Sequence, residues 1–458
     1  MNLSGWIYPV LRCSPRLFFR FAFAGLLLSC FAQPLYAADL LEIYRLAQAN
    51  DPTIDAARYS LAAAQQKVPQ ARAGLLPALS LNGSDTYNKT DAVFGNATPV
   101  ARDVHTWTWT LQLTQPIYRA QNIYAYSESG MQVEQARAQY ALAEQELILR
   151  VTQAYFDVLV VQGSIEVADK QVKAAEEQVA LAKRGFETGA TAITDMHEAR
   201  SRAELARAQR IAALNELETK HAELEKLVGQ ETRSLAGLQA AVVLPRPQPS
   251  NVRDWIEHAR ENNPAVLAPR AAVGAAEAKV HKSRAEYAPT LDLVASYGKN
   301  SSSGNVSSPV NFETRTESTQ VGVQLSMPLF SGGGTNARVK EAIANVGRAN
   351  AELESARRKS GTDARQAYAA VINGLAQIEA LESAVEFSTS SVKGNKVGYK
   401  LGINMNIDVL NAEQQLYTAQ RDLVKARYET LLQGHKLKAA AGVLSEADVI
   451  VVNRLLAR

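Results

Sequence analysis

The sequence predicts a fold of long coiled-coil α-helices and membrane β-strands, in which the strands form a transmembrane β-barrel that only an oligomer completes. Three observations predict it. The chain repeats itself, its helical stretches outrun a globular domain, and short segments of period-two alternation interrupt them.

Residues from about 40 to 230 recur from about 252 to 442. Pro52 pairs with Pro264, Lys67 with Lys279, Pro77 with Pro289 and Pro116 with Pro328, each 212 apart (264 − 52, and likewise for the others). Gly189 pairs with Gly402, Asp195 with Asp408 and Gly229 with Gly442 at a spacing of 213, which implies one inserted residue. The organisation is one unit used twice, 38–243 and 252–444, with a linker at 244–251 and a tail at 445–458. A duplicated chain makes a symmetric, oligomeric object the first expectation.

The N-terminus reads as a secretory signal over 1–37. Arg12, Arg16 and Arg20 precede an apolar run at 21–31, and Leu35, Tyr36 and Ala37 offer a cleavage point. The run is far short of the roughly 20 residues that span a bilayer as a helix. Leu27-Leu28-Ser29-Cys30 also reads as a lipoprotein site with Cys30 acylated, and both readings stay open. Both cysteines, Cys13 and Cys30, fall in this segment, so the exported chain has no thiol chemistry. Removing three arginines from 49 basic residues leaves 49 − 3 = 46 against 46 acidic ones. That balance argues against a nucleic-acid partner.

Each unit reads helix, strand, loop, strand, very long helix, turn, helix. Residues 40–73, 121–183 and 195–228 are rich in Ala, Glu, Gln, Arg and Leu, with apolar residues at three-to-four spacing. The stretch 121–183 would extend roughly 95 Å at 1.5 Å per residue. Its apolar spacing suits coiled-coil packing, with shorter helices stacked end to end beside it.

The interruptions have another period. His105, Trp107, Trp109, Leu111 and Leu113 alternate with small polar residues, and so do Val321, Val323, Leu325 and Met327. Segments 79–87 and 291–297 behave similarly, and each is near the roughly 9–11 residues of a tilted membrane strand. Polar loops at 88–103 and 299–317 join the strands of each pair. Trp107, Trp109, Tyr87, Tyr118, Tyr297 and Phe330 are expected near strand ends, as membrane-interface aromatics in contact with outer-membrane lipid. Pro116 and Pro328 are expected where strand passes into helix, and Pro77 and Pro289 where helix passes into strand. Four strands cannot close a barrel, since roughly eight is the minimum, so the chain must oligomerise; a trimer gives twelve.

The duplicated unit, with GFETGATAITD at 185–195 and GYKLGINMNIDVLNAEQQLY at 398–417, resembles the TolC family of outer-membrane channel-tunnels. The resemblance covers nearly the whole exported chain. It implies a homotrimer whose twelve-stranded barrel continues into a helical tunnel through the periplasm, closed at the far end by coiled helices. It also implies partners, a periplasmic adaptor and an inner-membrane pump or ABC transporter, with either small molecules or a secreted protein as cargo. Phe186, Gly189 and Gly402 then mark the turns and the adaptor contact. Thr194, Asp195, Tyr399 and Asp408 mark the periplasmic constriction. Both aspartates also suit simple helix capping. A second aspartate and an arginine of the family's gate are Asn411 and Asn404 here, which implies a softer electrostatic latch.

No catalytic constellation, cofactor motif or metal site is visible. The six histidines lack ligand spacing, and Gly332-Gly333-Gly334 is not followed by the Lys-Ser/Thr of a phosphate loop. An enzyme is therefore not expected. The alternative is a periplasmic coiled-coil adaptor or structural protein without a membrane barrel, which would share the signal and the helices but would not need four amphipathic strands.

Overall fold

The computed structural model describes residues 37–457 apart from 190, 233, 240 and 241. The signal segment, with Arg12, Arg16, Arg20, Cys13 and Cys30, lies outside the described residues. The first helical stretch, expected as one piece, is three helices: α1 (Leu40–Asn50), α2 (Pro52–Gln65) and α3 (Lys67–Ala73). The break is local chemistry. Asp51 caps α2 by accepting from the Thr53 N–H at 3.0 Å, and Pro52 occupies the first helical position, where its missing N–H costs nothing.

Strands β1 (Ala78–Ala92) and β2 (Val100–Tyr118) follow, then the hairpin of α4 (Ala120–Glu187) and α5 (Ile193–Val228). The second half repeats this order. It comprises α6 (Val252–Asn262), α7 (Pro264–Arg284), β3 (Thr290–Ser302), β4 (Thr314–Ser326), α8 (Gly334–Lys400) and α9 (Asn406–Ala440), and the chain ends on α10 (Glu446–Asn453). Asn263 begins α7 as Asp51 begins α2, its side chain accepting from Ala265 N at 2.8 Å with Pro264 next. At 68 residues α4 runs about 100 Å.

The long helices pack as antiparallel pairs, α4 on α5 and α8 on α9, and α4 also packs on α7 and α9. Ion pairs step along both hairpins in register. Arg207–Glu176 (2.6 Å) and Arg210–Asp169 (2.5 Å) cross the first, and Arg427–Glu382 (2.6 Å) and Lys396–Glu413 (2.7 Å) cross the second. The exposed ones, all but the pair on buried Glu413, contribute about 0–1 kcal/mol each, so they set register more than stability. Packing supplies the rest: Tyr155, Phe156, Val151 and Val158 of α4 are almost fully buried, and Phe156 meets Tyr428 of α9 at 5.4 Å between ring centres. A further cluster joins Trp255, Ala367, Val371, Leu437 and Ala441.

Two buried tyrosines hold the segment after α5. Tyr155 donates its hydroxyl to the Ala236 carbonyl at 2.7 Å, and the Tyr428 hydroxyl accepts from Leu238 N–H at 3.2 Å. Burial keeps both phenols protonated, raising their pKa values above the ordinary tyrosine value. The C-terminal stretch docks beside them, with Leu238 bridging to Leu456 and Asn453 donating to Asp39 at 2.8 Å.

The four strands form one antiparallel sheet in the order β1-β2-β3-β4, so β2–β3 pairing joins the two halves. The strands are longer than their alternation suggests, up to 19 residues in β2, and the polar loops correspondingly shorter. Asn88 through Ala92 and Lys299 through Ser302, expected in loops, are strand, because Ser, Thr and Asn side chains pair across this sheet as readily as they sit in turns. Pro77 and Pro289 directly precede strands and Pro328 follows one. Pro116 lies inside β2, where the register with β3 shifts between Pro116 and Tyr118, so its missing donor falls at an irregularity.

His435 of α9 is buried against Thr152, with 3.2 Å between Thr152 Oγ1 and its Nδ1. Burial pushes its pKa down to about 4, against the opposing pull of Asp448. The unfolded chain takes up this proton below about 6.5 and the folded chain does not until about 4, so stability falls as pH drops through that window. The thermal midpoint of His435→Gln is expected to fall less between pH 6.5 and 4.5 than that of the unaltered protein; parallel curves would contradict this.

Candidate functional site

Two regions carry the chemistry singled out in the sequence: the sheet, and the two helix turns at 188–192 and 401–405. In the sheet, directly paired residues share a face, so the register assigns each side chain to one of two surfaces. One face carries the odd-numbered residues. Leu79, Leu113, Ala295 and Val321 form one row, and Leu81, Leu111, Tyr297 and Thr319 the next. The other face carries neutral polar residues, in rows such as Asn82, Thr110, Gly298 and Ser318, then Ser84, Thr108, Asn300 and Thr316. Val321, Val323 and Leu325 are 60–72% exposed, so among the described residues nothing covers this part of the apolar face. Strands β1 and β4 have a neighbour on one side only, leaving a row of unpaired backbone groups along each edge.

The aromatics are not gathered at strand ends. Trp107 and Trp109 lie midway along β2 and Tyr297 midway along β3, because the strands continue beyond them. Trp109 and Tyr297 meet edge to face at 5.5 Å. Tyr87 sits further along β1 opposite His105, Tyr118 ends β2, and Phe330 follows β4 almost wholly exposed. From the Trp109 level outward the odd-numbered face becomes ionic, with Lys299–Glu317 at 3.2 Å and His105–Asp85 at 3.2 Å.

The two turns are built alike. Gly189 and Gly402 have φ of 71° and 75°, the left-handed geometry that ends a helix and that a side chain resists. Before each, a glycine admits a close neighbour. A Cβ on Gly185 would meet Thr191 Oγ1 at 2.7 Å, and one on Gly398 would meet the Asn404 side chain at 2.8 Å. Phe186 is exposed at the end of α4, its carbonyl accepting from the Gly189 N–H at 3.0 Å.

The residues expected at the constriction have these places. Thr194 and Asp195 lie in the first turn of α5, and Asp195 makes no capping bond through its side chain. Tyr399 ends α8, its hydroxyl pKa raised by partial burial and by the Asp195 carboxylate, which places the two in one electrostatic neighbourhood. Asp408 is a cap as well as a charge, since its Oδ2 accepts from the Met405 N–H at 3.0 Å. Asn404 is tied inside its own turn, donating to Asn395 Oδ1 at 2.7 Å. Asn411 is exposed on α9 and accepts from Arg202 of α5 at 3.4 Å, linking the returning helices of the two halves.

Sequence reasoning missed four features. Arg202 and Asn395, the polar partners of the two asparagines, carry no local motif. Asn406 is buried at the start of α9 with its amide unpaired among the described residues, a cost of about 1–3 kcal/mol at the turn. Leu401, Ile403 and Met405 are all about 70% exposed, a bare apolar tip. The pair Gly185 and Gly398, again 398 − 185 = 213 apart, was legible from the repeat spacing. Among the described residues no group of side chains is arranged to hold a metal ion, and no helix is long and apolar enough to cross a membrane.

The model of the outer membrane efflux protein family matches residues 43–230 and again 255–443. The chain belongs to that family. It is 34% identical over 433 residues to the alkaline protease secretion protein AprF of Pseudomonas aeruginosa, covering 93% of this chain and 89% of the relative. It is 30% identical over 432 residues to the outer membrane protein TolC of Vibrio cholerae, covering 94% and 97%. Its fold matches the crystal structure of the outer membrane protein VceC from Vibrio cholerae with a TM-score of 0.74 at 21% identity, over 88% and 96% of the two chains. The chain is thus an outer-membrane channel protein of the efflux and type I secretion class, a conduit rather than an enzyme.

Gly402 has open space around its Cβ position, so its replacement tests backbone conformation alone. Gly402→Ala is expected to cost about 1 kcal/mol locally, roughly a fivefold rise in turn opening. Limited trypsin digestion at Lys400 reads this as faster cleavage, and an unchanged rate would contradict it.

Proposed function

We propose that three copies of this chain close a twelve-stranded barrel in the outer membrane, continued by the long helices as a tunnel through the periplasm. The observation that carries this reading is the sheet, four strands with an uncovered apolar face and two unpaired edges, set on helices about 100 Å long. The duplication gives each copy two hairpins of strands and two of helices, so three copies supply twelve strands around one axis. The level of Trp107, Trp109 and Tyr297, where the apolar face gives way to ion pairs, marks the outer membrane interface.

The two turns form the periplasmic end. There the three Asp408 carboxylates gather about the axis, while Asp195 and Tyr399 latch neighbouring coils. With Asn404 engaged by Asn395 and Asn411 by Arg202, the latch has fewer charges and closes more softly. Phe186, Gly189, Gly402 and the apolar tip of Leu401, Ile403 and Met405 meet a periplasmic adaptor, which couples the conduit to an inner-membrane pump or ABC transporter. The likeness to AprF, whose name assigns it to protease secretion, favours a secreted protein as cargo over small-molecule efflux. The family match and the uncovered apolar sheet face speak against a periplasmic adaptor without a barrel.

Asp408→Asn removes the charge while keeping an oxygen able to accept from Met405 N–H, so the turn survives. In planar bilayers the unaltered protein is expected to give long-lived, cation-selective openings. The variant is expected to lose at least about half of the cation preference. Unchanged conductance and selectivity would remove Asp408 from the gate, and a soluble protein without conductance would remove the channel reading itself.

A further inference from the structure

The strands contain many ionisable side chains, and the register sorts them. Lys299, Glu317, Asp85, His105, Lys89 and Arg315 all lie on the odd-numbered face that also carries the leucines and valines. On the even-numbered face only Arg102 and Asp292 are ionic, at opposite ends of the sheet, and each is already engaged. Arg102 donates to the Pro309 carbonyl at 2.6 Å and lies 5.8 Å from the Phe94 ring centre, while Asp292 takes a two-pronged contact from Arg119 at 2.8 and 2.6 Å. Between these ends the even-numbered face is mostly hydroxyl, amide and glycine, broken by two separated valines, Val104 and Val294, with side chains bonded across strands, as Asn300 to Thr108 at 2.8 Å.

Membrane cost alone does not require this sorting. Charges inside a water-filled barrel cost little, whereas on the outer face they are tolerated only towards the interfaces. The chain has charges to place in its strands and keeps them off the even-numbered face. A closed twelve-stranded barrel has a backbone radius of about 12 Å. Side chains narrow the passage further, to near the screening length of about 8 Å at physiological salt, so a ring of wall charges would be felt across the whole lumen. Wall charges of one sign concentrate counter-ions and hold opposite charges on a passing cargo, and conduction needs binding weak enough to release.

We propose that the barrel lumen is an electrically neutral passage lined by hydroxyl and amide groups, suited to an extended polar polymer of mixed charge such as an unfolded polypeptide. This rests on the channel reading above and narrows its cargo. The wall offers hydrogen-bonding groups in place of water, and its valines, Val104 and Val294, lie too far apart to make an apolar strip that would retain an oily molecule. Charge discrimination then falls to the helical end of the conduit.

The absence of cysteine outside the signal segment makes the test direct. Ser318→Cys places a thiol on the even-numbered face and Val321→Cys on the odd-numbered face. Each full-length channel, first shown to conduct in a planar bilayer, is treated from the loop side with a cationic trimethylammonium or an anionic sulfonate methanethiosulfonate reagent. The thiolate attacks the reagent's sulfenyl sulfur, a disulfide forms and methanesulfinate leaves. At Ser318→Cys both reagents are expected to react, with a rate ratio within about threefold of that for a free neutral thiol in solution. Val321→Cys is expected to stay unmodified in lipid. A larger bias of either sign at Ser318→Cys would overturn the neutral lumen in a working channel. Modification at Val321→Cys alone would reverse the assignment of faces. Absence of conductance before any reagent is added would instead overturn the channel reading, and this inference with it.

Discussion

An unpaired strand edge in lipid governs this molecule. Each N–H or C=O left without a partner in hydrocarbon costs several kcal/mol, and β1 and β4 each present such a row. No rearrangement within the described chain supplies the missing partners, because the remaining segments are helical or short. The edges must be satisfied by other copies. A twofold internal repeat, a uniform antiparallel order and β2–β3 pairing across the halves all suit one curved sheet continued from chain to chain.

The helices answer a different constraint, length. A 68-residue helix cannot bury a broad apolar face without becoming insoluble when alone, and these helices use narrow seams of alanine with a few large residues. The large ones concentrate where Tyr155 and Phe156 meet Tyr428 and where Trp255 meets Leu437. There the segment after α5 and α10 wrap the hairpins. Towards the turns the buried residues are smaller on average, Ala199, Ala203 and Ala412 with Val392, Val409 and Leu410, and the buried Asn406 amide is unpaired among the described residues. A firmly packed middle with a less satisfied tip is what a conduit that opens at one end requires.

Much of this was legible in the sequence. The prolines and glycines at fixed spacing gave the duplication, and the alternation from His105 to Leu113 gave the sheet and its apolar face. What was not legible follows from physics that one sequence hides. The break at Asp51 depends on a cap and a buried ion pair with Arg150 at 2.5 Å, contributed by a helix some 100 residues away. The strands outran their alternation because beyond Trp107 the outer face turns ionic, and charge in a strand resembles a loop when read locally. Asp408 was legible as both a cap and a charge, but the Asn411–Arg202 contact joins the two halves and has no local signature. The family resemblance carried the proposed gate residues, and the gathering of strand charges on one face of the sheet emerged only from the register.

The central claim is that the sheet is incomplete in one chain and complete in three. Light scattering of the exported protein, purified in mild detergent with its sheet content followed by circular dichroism, tests it most directly. A mass of three chains with sheet content retained is the expected result. A single-chain mass with the same sheet content would contradict the account, because it would mean that β1 and β4 need no partner.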